Sequence, residues 1–550
     1  MMSSDSLAKP RWWEHSVIYE IYVRSFQDSN GDGIGDLPGI IQRLDYLRND
    51  TSDSLGIDAI WLTPIYPSPL YDYGYDVSDY TGIDPAYGSL DDFDRLAREA
   101  EQHEIKIVLD FVLNHSSHMH PWFLESRSNK QSDRRDWYVW KDPTPEGGPP
   151  NNWQSVFGGP AWTLDEPTGQ YYLHSFLPQQ PDLNWRNPSL RKAMHDVVRF
   201  WIQRGVSGFR LDATAFIGKD AQLRDNLAVA PTSGTSGLGV SYPLRNMNHP
   251  DMHDWLRELR HVVDEDGIER FLVSEIYDLD DDAIALLHGS EGPEMSMSFN
   301  FELIGCSWHA ESYRNAVESF SDSLPSGATP NTALNNHDQS RSISRFGADG
   351  CGRERARLVA MLQFALPGAT FIYYGEEIGM LDGVIPPDRI RDPVGLRSLD
   401  KALNPGRDPE RTPMQWSSGL GAGFTTGEAW LPLGSTAQEI NVELECRVPE
   451  SMLTLYRSLI SLRTTQQALR VGQYRAFDDV PDNVYLFERD SGSQTVLVAL
   501  NFASEPRKVP IQSWKSAVVL ACTHVRQERE RIEGAISLRP LEGVILEHSS

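Results

Sequence analysis

Eight short apolar runs, separated by helix-patterned stretches, constrain this chain more than any other feature. They lie at 17–22, 59–64, 106–111, 208–212, 271–275, 297–300, 332–336 and 370–374. Most are continuous rather than alternating, which suits strands covered on both faces. Between them the spacing turns helical: in 189–201, Leu190, Met194, Val197, Val198 and Trp201 share one face, with Asn187 as N-cap and Pro188 in the first turn. Strand–helix alternation repeated eight times predicts an α/β chain closed into a (β/α)8 TIM barrel.

Two stretches break the alternation. After the third run, 116–187 is rich in Pro, Gly, Trp and Asn without a clear barrel helix, and is expected to be an inserted subdomain over the barrel mouth. After the fourth run, the Gly/Ser/Thr-rich segment 231–243 reads as a loop walling the binding site. From about 472 the pattern changes to short strands at 484–489, 494–502, 517–522, 535–538 and 544–547, an antiparallel C-terminal β-sandwich. The chain of 550 residues exceeds one core. Its expected domains are a barrel of 1–115 and 188–471, an insert of 116–187 and a β-module of 472–550.

Fifty basic and 78 acidic residues give a formal charge of −28. Such a chain repels phosphate backbones, which argues against nucleic acid as a partner. Cys306, Cys351, Cys446 and Cys522 have no metal-ligand spacing and read as small buried side chains in a reducing compartment. The first ten residues lack the pattern of a secretory signal, and no apolar run approaches the ~20 residues of a membrane span. A cytoplasmic monomer or homodimer, free of membrane, is the expectation.

Three of the apolar runs carry an acid where they end: Gly-Phe-Arg-Leu-Asp at Asp212, Val-Ser-Glu at Glu275 and Asn-Asn-His-Asp at Asp338. An acid at the end of a buried strand is costly unless the strand opens onto a polar site, so the three ends predict one cleft at the C-terminal rim of the barrel. Cleaving a glycosidic bond with retention needs a carboxylate nucleophile and a protonated carboxyl as acid, then base. Arg210, two residues before Asp212, is expected to hold it ionised, as a nucleophile requires. Desolvation of Glu275 on its apolar strand would suit a proton donor. Separately, in the loop 28–36, side-chain oxygens at Asp28, Asn30, Asp32 and Asp36 and the Ile34 carbonyl have the alternating spacing by which a loop wraps Ca²⁺. No organic cofactor is expected.

Further motifs carry a resemblance: Asp-Phe-Val-Leu-Asn-His at 110–115, Gln-Pro-Asp-Leu-Asn at 180–184 and Ser-Glu-Ile at 274–276, in order with the segments ending at Asp212 and Asp338. With these the chain resembles the α-amylase family, family 13 of the glycoside hydrolases, and within it the oligo-1,6-glucosidase and α-glucosidase group. The resemblance implies Asp212 as nucleophile, Glu275 as acid/base and Asp338 as transition-state stabiliser. It implies that His115 and His337 bond the glucose ring, that Arg210 orients Asp212, and that Tyr75 stacks under the ring. Asp72 and Arg411 would clamp the non-reducing end, with Phe176 an aromatic wall. It also implies structural Ca²⁺ or Mg²⁺ at the loop 28–36.

Ala213 follows the nucleophile. In the resembling group, Val there goes with α-1,6 bonds and Ala or Thr with α-1,4 bonds, through the width left beside the leaving sugar. The expectation is a retaining, exo-acting α-glucosidase on maltose-sized substrates. The alternatives are an oligo-1,6-glucosidase and a transglycosylating or isomerising relative, such as a trehalose synthase or a sucrose-acting enzyme.

Overall fold

The computed structural model describes residues 11–227, 245–275, 284, 287–288, 294–401, 403–511, 514, 516–526 and 529–548. The expected wall 231–243 lies outside the described residues. Eight parallel strands form the main sheet: β1 (Val17–Ile21), β2 (Ala59–Leu62), β3 (Lys106–Val112), β7 (Gly208–Asp212), β8 (Phe271–Ser274), β9 (Met297–Ser298), β10 (Asn331–Ala333) and β11 (Ala369–Tyr373). Their spatial order is β10-β11-β1-β2-β3-β7-β8-β9. Between β9 and β10 the Asn331 side chain does the joining: its amide donates to the Ser298 carbonyl at 2.6 Å and accepts from the Asn300 N–H at 3.1 Å. The expected TIM barrel is thus present, nearly closed by its own strands.

Alternation along each strand sorts side chains between the barrel interior and the helix layer. Ile18, Ala59, Trp61, Val108, Phe271, Val273, Met297 and Phe371 pack with one another in one cluster, while Tyr19, Ile60, Leu109, Phe209, Leu211 and Leu272 belong to the larger cluster shared with the helices. The interior series then changes character toward the C-terminal rim. Ile18 is followed at the next like position by Glu20, Val108 by Asp110, Gly208 by Arg210 and Asp212, and Val273 by Glu275. Strand pairing sets Asp110 opposite Arg210 and Val112 opposite Asp212, with Glu20 between Trp61 and Tyr373. An apolar floor under a charged rim is what the register dictates.

The stretch 116–187 carries a helix (Pro121–Ser128) and a small antiparallel sheet of β4 (Trp140–Lys141), β5 (Trp162–Asp165) and β6 (Gln170–Leu173), in the order β4-β6-β5. Lys219, buried just after β7, ties it down. Its ammonium donates to Asn114 Oδ1 at 2.7 Å and to the Phe216 carbonyl, and lies 3.1 Å from Asp182.

The C-terminal strands are β12 (Gln473–Ala476), β13 (Val484–Asp490), β14 (Thr495–Asn501), β15 (Arg507–Pro510), β16 (Ser516–Cys522), β17 (Arg531–Glu533), β18 (Ala535–Leu538) and β19 (Gly543–His548). Six form one antiparallel sheet and β15 with β18 a second. Val484, Leu486, Leu497 and Leu546 meet Val509 and Ile536 between the sheets, whereas Tyr485, Phe487, Val498 and Ile545 join the barrel's core. Both faces of β13 and β14 are therefore buried, which explains their unbroken apolar sequences.

Candidate active site

One guanidinium organises the rim. Arg210, 2% exposed, places Nη1 2.8 Å from Asp110 Oδ1 and 2.7 Å from Asp212 Oδ1, and Nη2 2.6 Å from Glu275 Oε2. Arginine's planar fork suits such shared recognition, and in a dry interior it offsets part of the cost of three carboxylates. It does not offset all of it. Burial, reinforced by Glu275, Asp110 and Asp338, pushes Asp212 well above the usual carboxylate range despite Arg210. Asp110 is likewise raised by burial, to about 6. Arg210, expected to hold Asp212 ionised, does pair with it, but Asp110 and Glu275 share the guanidinium and burial prevails. Glu275, expected in apolar surroundings, instead faces Arg210 and accepts from the Ala213 N–H at 3.2 Å.

Asp338 has the opposite environment. Burial would raise it, but His337, Arg407 and Arg411 hold it well below the usual range. Its Oδ1 accepts from Arg407 Nη1 at 3.0 Å and from Arg411 Nη2 at 2.7 Å. The third carboxylate is thus the one most firmly ionised.

His337 stacks on Tyr75, with ring centroids 5.4 Å apart, and the Tyr75 hydroxyl lies 2.6 Å from its Nε2. His115 is buried, which lowers it to about 4, and its ring abuts Phe176 at 5.0 Å. Phe176 packs in turn on Phe216 and Phe157. Ala213 takes the left-handed conformation, φ 48°, turning the chain sharply after Asp212. All of the sequence-predicted side chains from Asp72 to Arg411 gather around this rim, although the clamp is drawn differently. Asp72 Oδ1 is held by Arg407 Nη2 at 2.7 Å and its Oδ2 by Gln180 Nε2 at 3.0 Å. Arg411 bonds Asp338, Asp392 and the His337 carbonyl instead.

Sequence reasoning missed Arg407, Gln180, Asp392 and Glu20. Gln180 stood inside a quoted motif, and Arg407 stands four residues before Arg411, so a signal existed for both. Asp392 and Glu20 carry none; only packing brings them in.

The loop 28–36 lies apart from these contacts. Asp28 Oδ1 accepts from the N–H groups of Asn30 and Gly31, Asn30 Oδ1 from Asp32 and Asp32 Oδ1 from Ile34. These repeated Asx turns curl the loop at the spacing of the expected ligands, with Gly31 and Gly33 at φ 85° and 88°. Asp36 also caps the helix Leu37–Ile41 and holds Ser29. Among the described residues, no three His, Cys, Asp or Glu side chains stand together as a cation cage. The loop's donors are mixed: carboxylates, an amide and a carbonyl.

The α-amylase catalytic-domain family model matches residues 20–472. An oligo-1,6-glucosidase of Heyndrickxia coagulans is 38% identical, covering 92% of this chain and 95% of that protein. A trehalose-6-phosphate hydrolase of Escherichia coli (strain K12) is 39% identical, over 97% and 98%. Among solved structures, the α-glucosyl transfer enzyme XgtA superposes with a TM-score of 0.90 at 37% identity, covering 98% of this chain and all of that one. With the barrel, the ordered motifs and the Arg210-centred carboxylates, these likenesses make the chain a member of the α-amylase family of glycoside hydrolases.

Proposed function

We propose that the chain is a retaining, exo-acting α-glucosidase that frees glucose from the non-reducing end of short α-1,4-linked glucosides such as maltose. The observation that carries this reading is Arg210 holding Asp212 and Glu275 on the two nitrogens of one fork. A shared fork favours the closer of the two carboxylate spacings, about 5 Å for retention against about 6.5–9.5 Å for inversion. Asp212 attacks the anomeric carbon as Glu275 protonates the leaving oxygen. Glu275 then takes a proton from water as the water oxygen bonds the anomeric carbon and the bond to Asp212 breaks, which frees glucose and restores both acids. Asp338, firmly ionised, faces the positive charge that develops on the ring.

The exo mode rests on the Asp72–Arg407 pair, whose buried charges suit the hydroxyls at the end of a sugar chain. Arg407 and Arg411 are both already paired with carboxylates, which disfavours a phosphorylated disaccharide. The α-1,4 preference rests on Ala213. A second reading, α-1,6 cleavage, is favoured by the likeness to the oligo-1,6-glucosidase. A structural Ca²⁺ or Mg²⁺ held by Asp28, Asn30, Asp32, Ile34 and Asp36 belongs to the same proposal and would stiffen the loop by charge neutralisation. The four cysteines are free, though none is buried as expected and Cys446 is exposed; such thiols suit a reducing, cytoplasmic setting. Among the described residues, no helix is long and apolar enough to cross a membrane.

The test is a proton NMR time course with maltose and, separately, isomaltose. Early α-glucose from maltose, ahead of mutarotation, supports the proposal. Early β-glucose overturns retention, and cleavage of isomaltose alone moves the second reading to the front.

A further inference from the structure

Glu20 has no part in the mechanism above, yet it is a carboxyl 1% exposed inside the barrel. It stands on β1 between Trp61 of β2 and Tyr373 of β11, and its electrostatic neighbours are Arg210, Asp110 and Asp338. Its Oε1 lies 2.6 Å from His337 Nδ1. On the other side of that imidazole, Nε2 is 2.6 Å from the Tyr75 hydroxyl and 3.4 Å from Asp338 Oδ2. The Tyr75 hydroxyl donates to Asp110 Oδ2 at 3.0 Å, and Arg210 Nη1 joins Asp110 to Asp212.

These contacts form a chain, and a chain of hydrogen bonds has a direction. Tyr75 owns one proton. If that proton goes to Asp110, the Tyr75 oxygen must accept from His337, so Nε2 must carry hydrogen. Nδ1 then either accepts from a protonated Glu20 or donates to an ionised one as part of an imidazolium. Both arrangements hold one proton between Glu20 and His337 beyond that of an ionised carboxylate beside a neutral imidazole. Remove it, and the neutral imidazole gives its single N–H to Glu20. Nε2 must then take the Tyr75 proton, and Asp110 loses that donor.

We infer that Glu20 and His337 share a proton along Oε1–Nδ1, and that this proton sets the donor direction from His337 through Tyr75 to Asp110, and so the seating of Arg210 against Asp212. Glu20 is then a positioning residue that acts through His337. Burial agrees, for it pushes the Glu20 carboxyl up and the His337 imidazole down, which seats the shared proton on Glu20 rather than on the ring. Releasing it would add a further negative charge beside Asp110, Asp212, Glu275 and Asp338. Loss of this proton therefore contributes to the alkaline limb of the activity profile. A glutamine at position 20 could donate to Nδ1 at every pH and would hold the direction without titrating.

The inference rests on the proposed glucosidase reading for its kinetic consequence alone. The experiment compares kcat/KM against pH for wild type, Glu20→Leu and Glu20→Gln on p-nitrophenyl α-glucoside. Glu20→Leu is expected to lose about 10²-fold at every pH, as misplacement of a catalytic constellation does. Glu20→Gln is expected to recover most of that loss and to move the alkaline limb upward by at least about one pH unit. Superimposable alkaline limbs in wild type and Glu20→Gln, or a Glu20→Leu variant within about threefold of wild type, would overturn the inference.

A second measurement needs neither substrate nor variant activity. In ¹⁵N-histidine-labelled wild type, with His337 assigned by its absence from His337→Gln, Nε2 should bear hydrogen at neutral pH. The Nδ1–H tautomer at neutral pH would refute the shared proton. A chain inactive on every α-glucoside would sink the glucosidase reading while leaving this result to stand by itself.

Discussion

Arg407 Nη2 lies 2.7 Å from Asp72 Oδ1, across 335 residues of sequence, and the same guanidinium reaches Asp338 at 3.0 Å and Asp392 at 2.7 Å. One side chain thus links Asp72, expected to grip the non-reducing end, to the carboxylate expected to stabilise the transition state. The three contacts use the fork's full width, which an ammonium cannot reproduce.

Arg407→Lys is therefore expected to lower kcat/KM by about 10²-fold, and Arg407→Ala to destabilise the fold by about 3 kcal/mol through unpaired buried acids. Steady-state kinetics and chemical denaturation check both. A lysine variant within about twofold of wild type would remove Arg407 from the clamp.

Ala213 carries φ 48° while its N–H contacts Glu275. A β-branched residue fits that conformation poorly, so Ala213→Val should cost about 1–2 kcal/mol of stability and lower turnover on every linkage. Ala213→Gly should cost no stability. If Ala213→Val also leaves the maltose to isomaltose rate ratio unchanged, Ala213 has no part in linkage choice.

Glu376 is buried, which raises it from 4.5 to about 7 against donors from Tyr456 and Asn335. The folded protein then keeps a proton that the unfolded chain releases above pH ~4.5. The contribution is intact below that pH, declines as pH rises to about 7 and is level beyond, a loss of about 3 kcal/mol. Glu376→Gln should flatten this part of the stability curve. Denaturant titrations at pH 5 and 8 that give wild type and variant equal slopes would show that Glu376 does not titrate in that window.

Calcium at about a hundred times its dissociation constant should stabilise the protein by about 2.7 kcal/mol over EDTA, and Asp32→Ala should abolish the difference. Melting curves in calcium and in EDTA that coincide would remove the cation from the loop 28–36.

The strand-rim acids and the Asx-rich loop were legible because chemistry and local spacing coincide there: an acid ending an apolar run, or oxygens at alternating positions. The eight runs all mark strands, though 332–336 begins one residue earlier, at Asn331, and ends at Ala333. The Asn331 side chain turns across to β9, a contact no propensity reports.

What the sequence by itself determined is the architecture and the placing of acids at the barrel's rim, because burial period and residue type are properties of neighbours in the chain. Only tertiary structure decided which charges meet. Arg210 facing three carboxylates, Arg407 rather than Arg411 on Asp72, and Glu20 behind His337 all arise from strand register and loop closure. Electrostatic energies in a dry interior depend on ångström separations between residues hundreds of positions apart, and no local pattern encodes those separations.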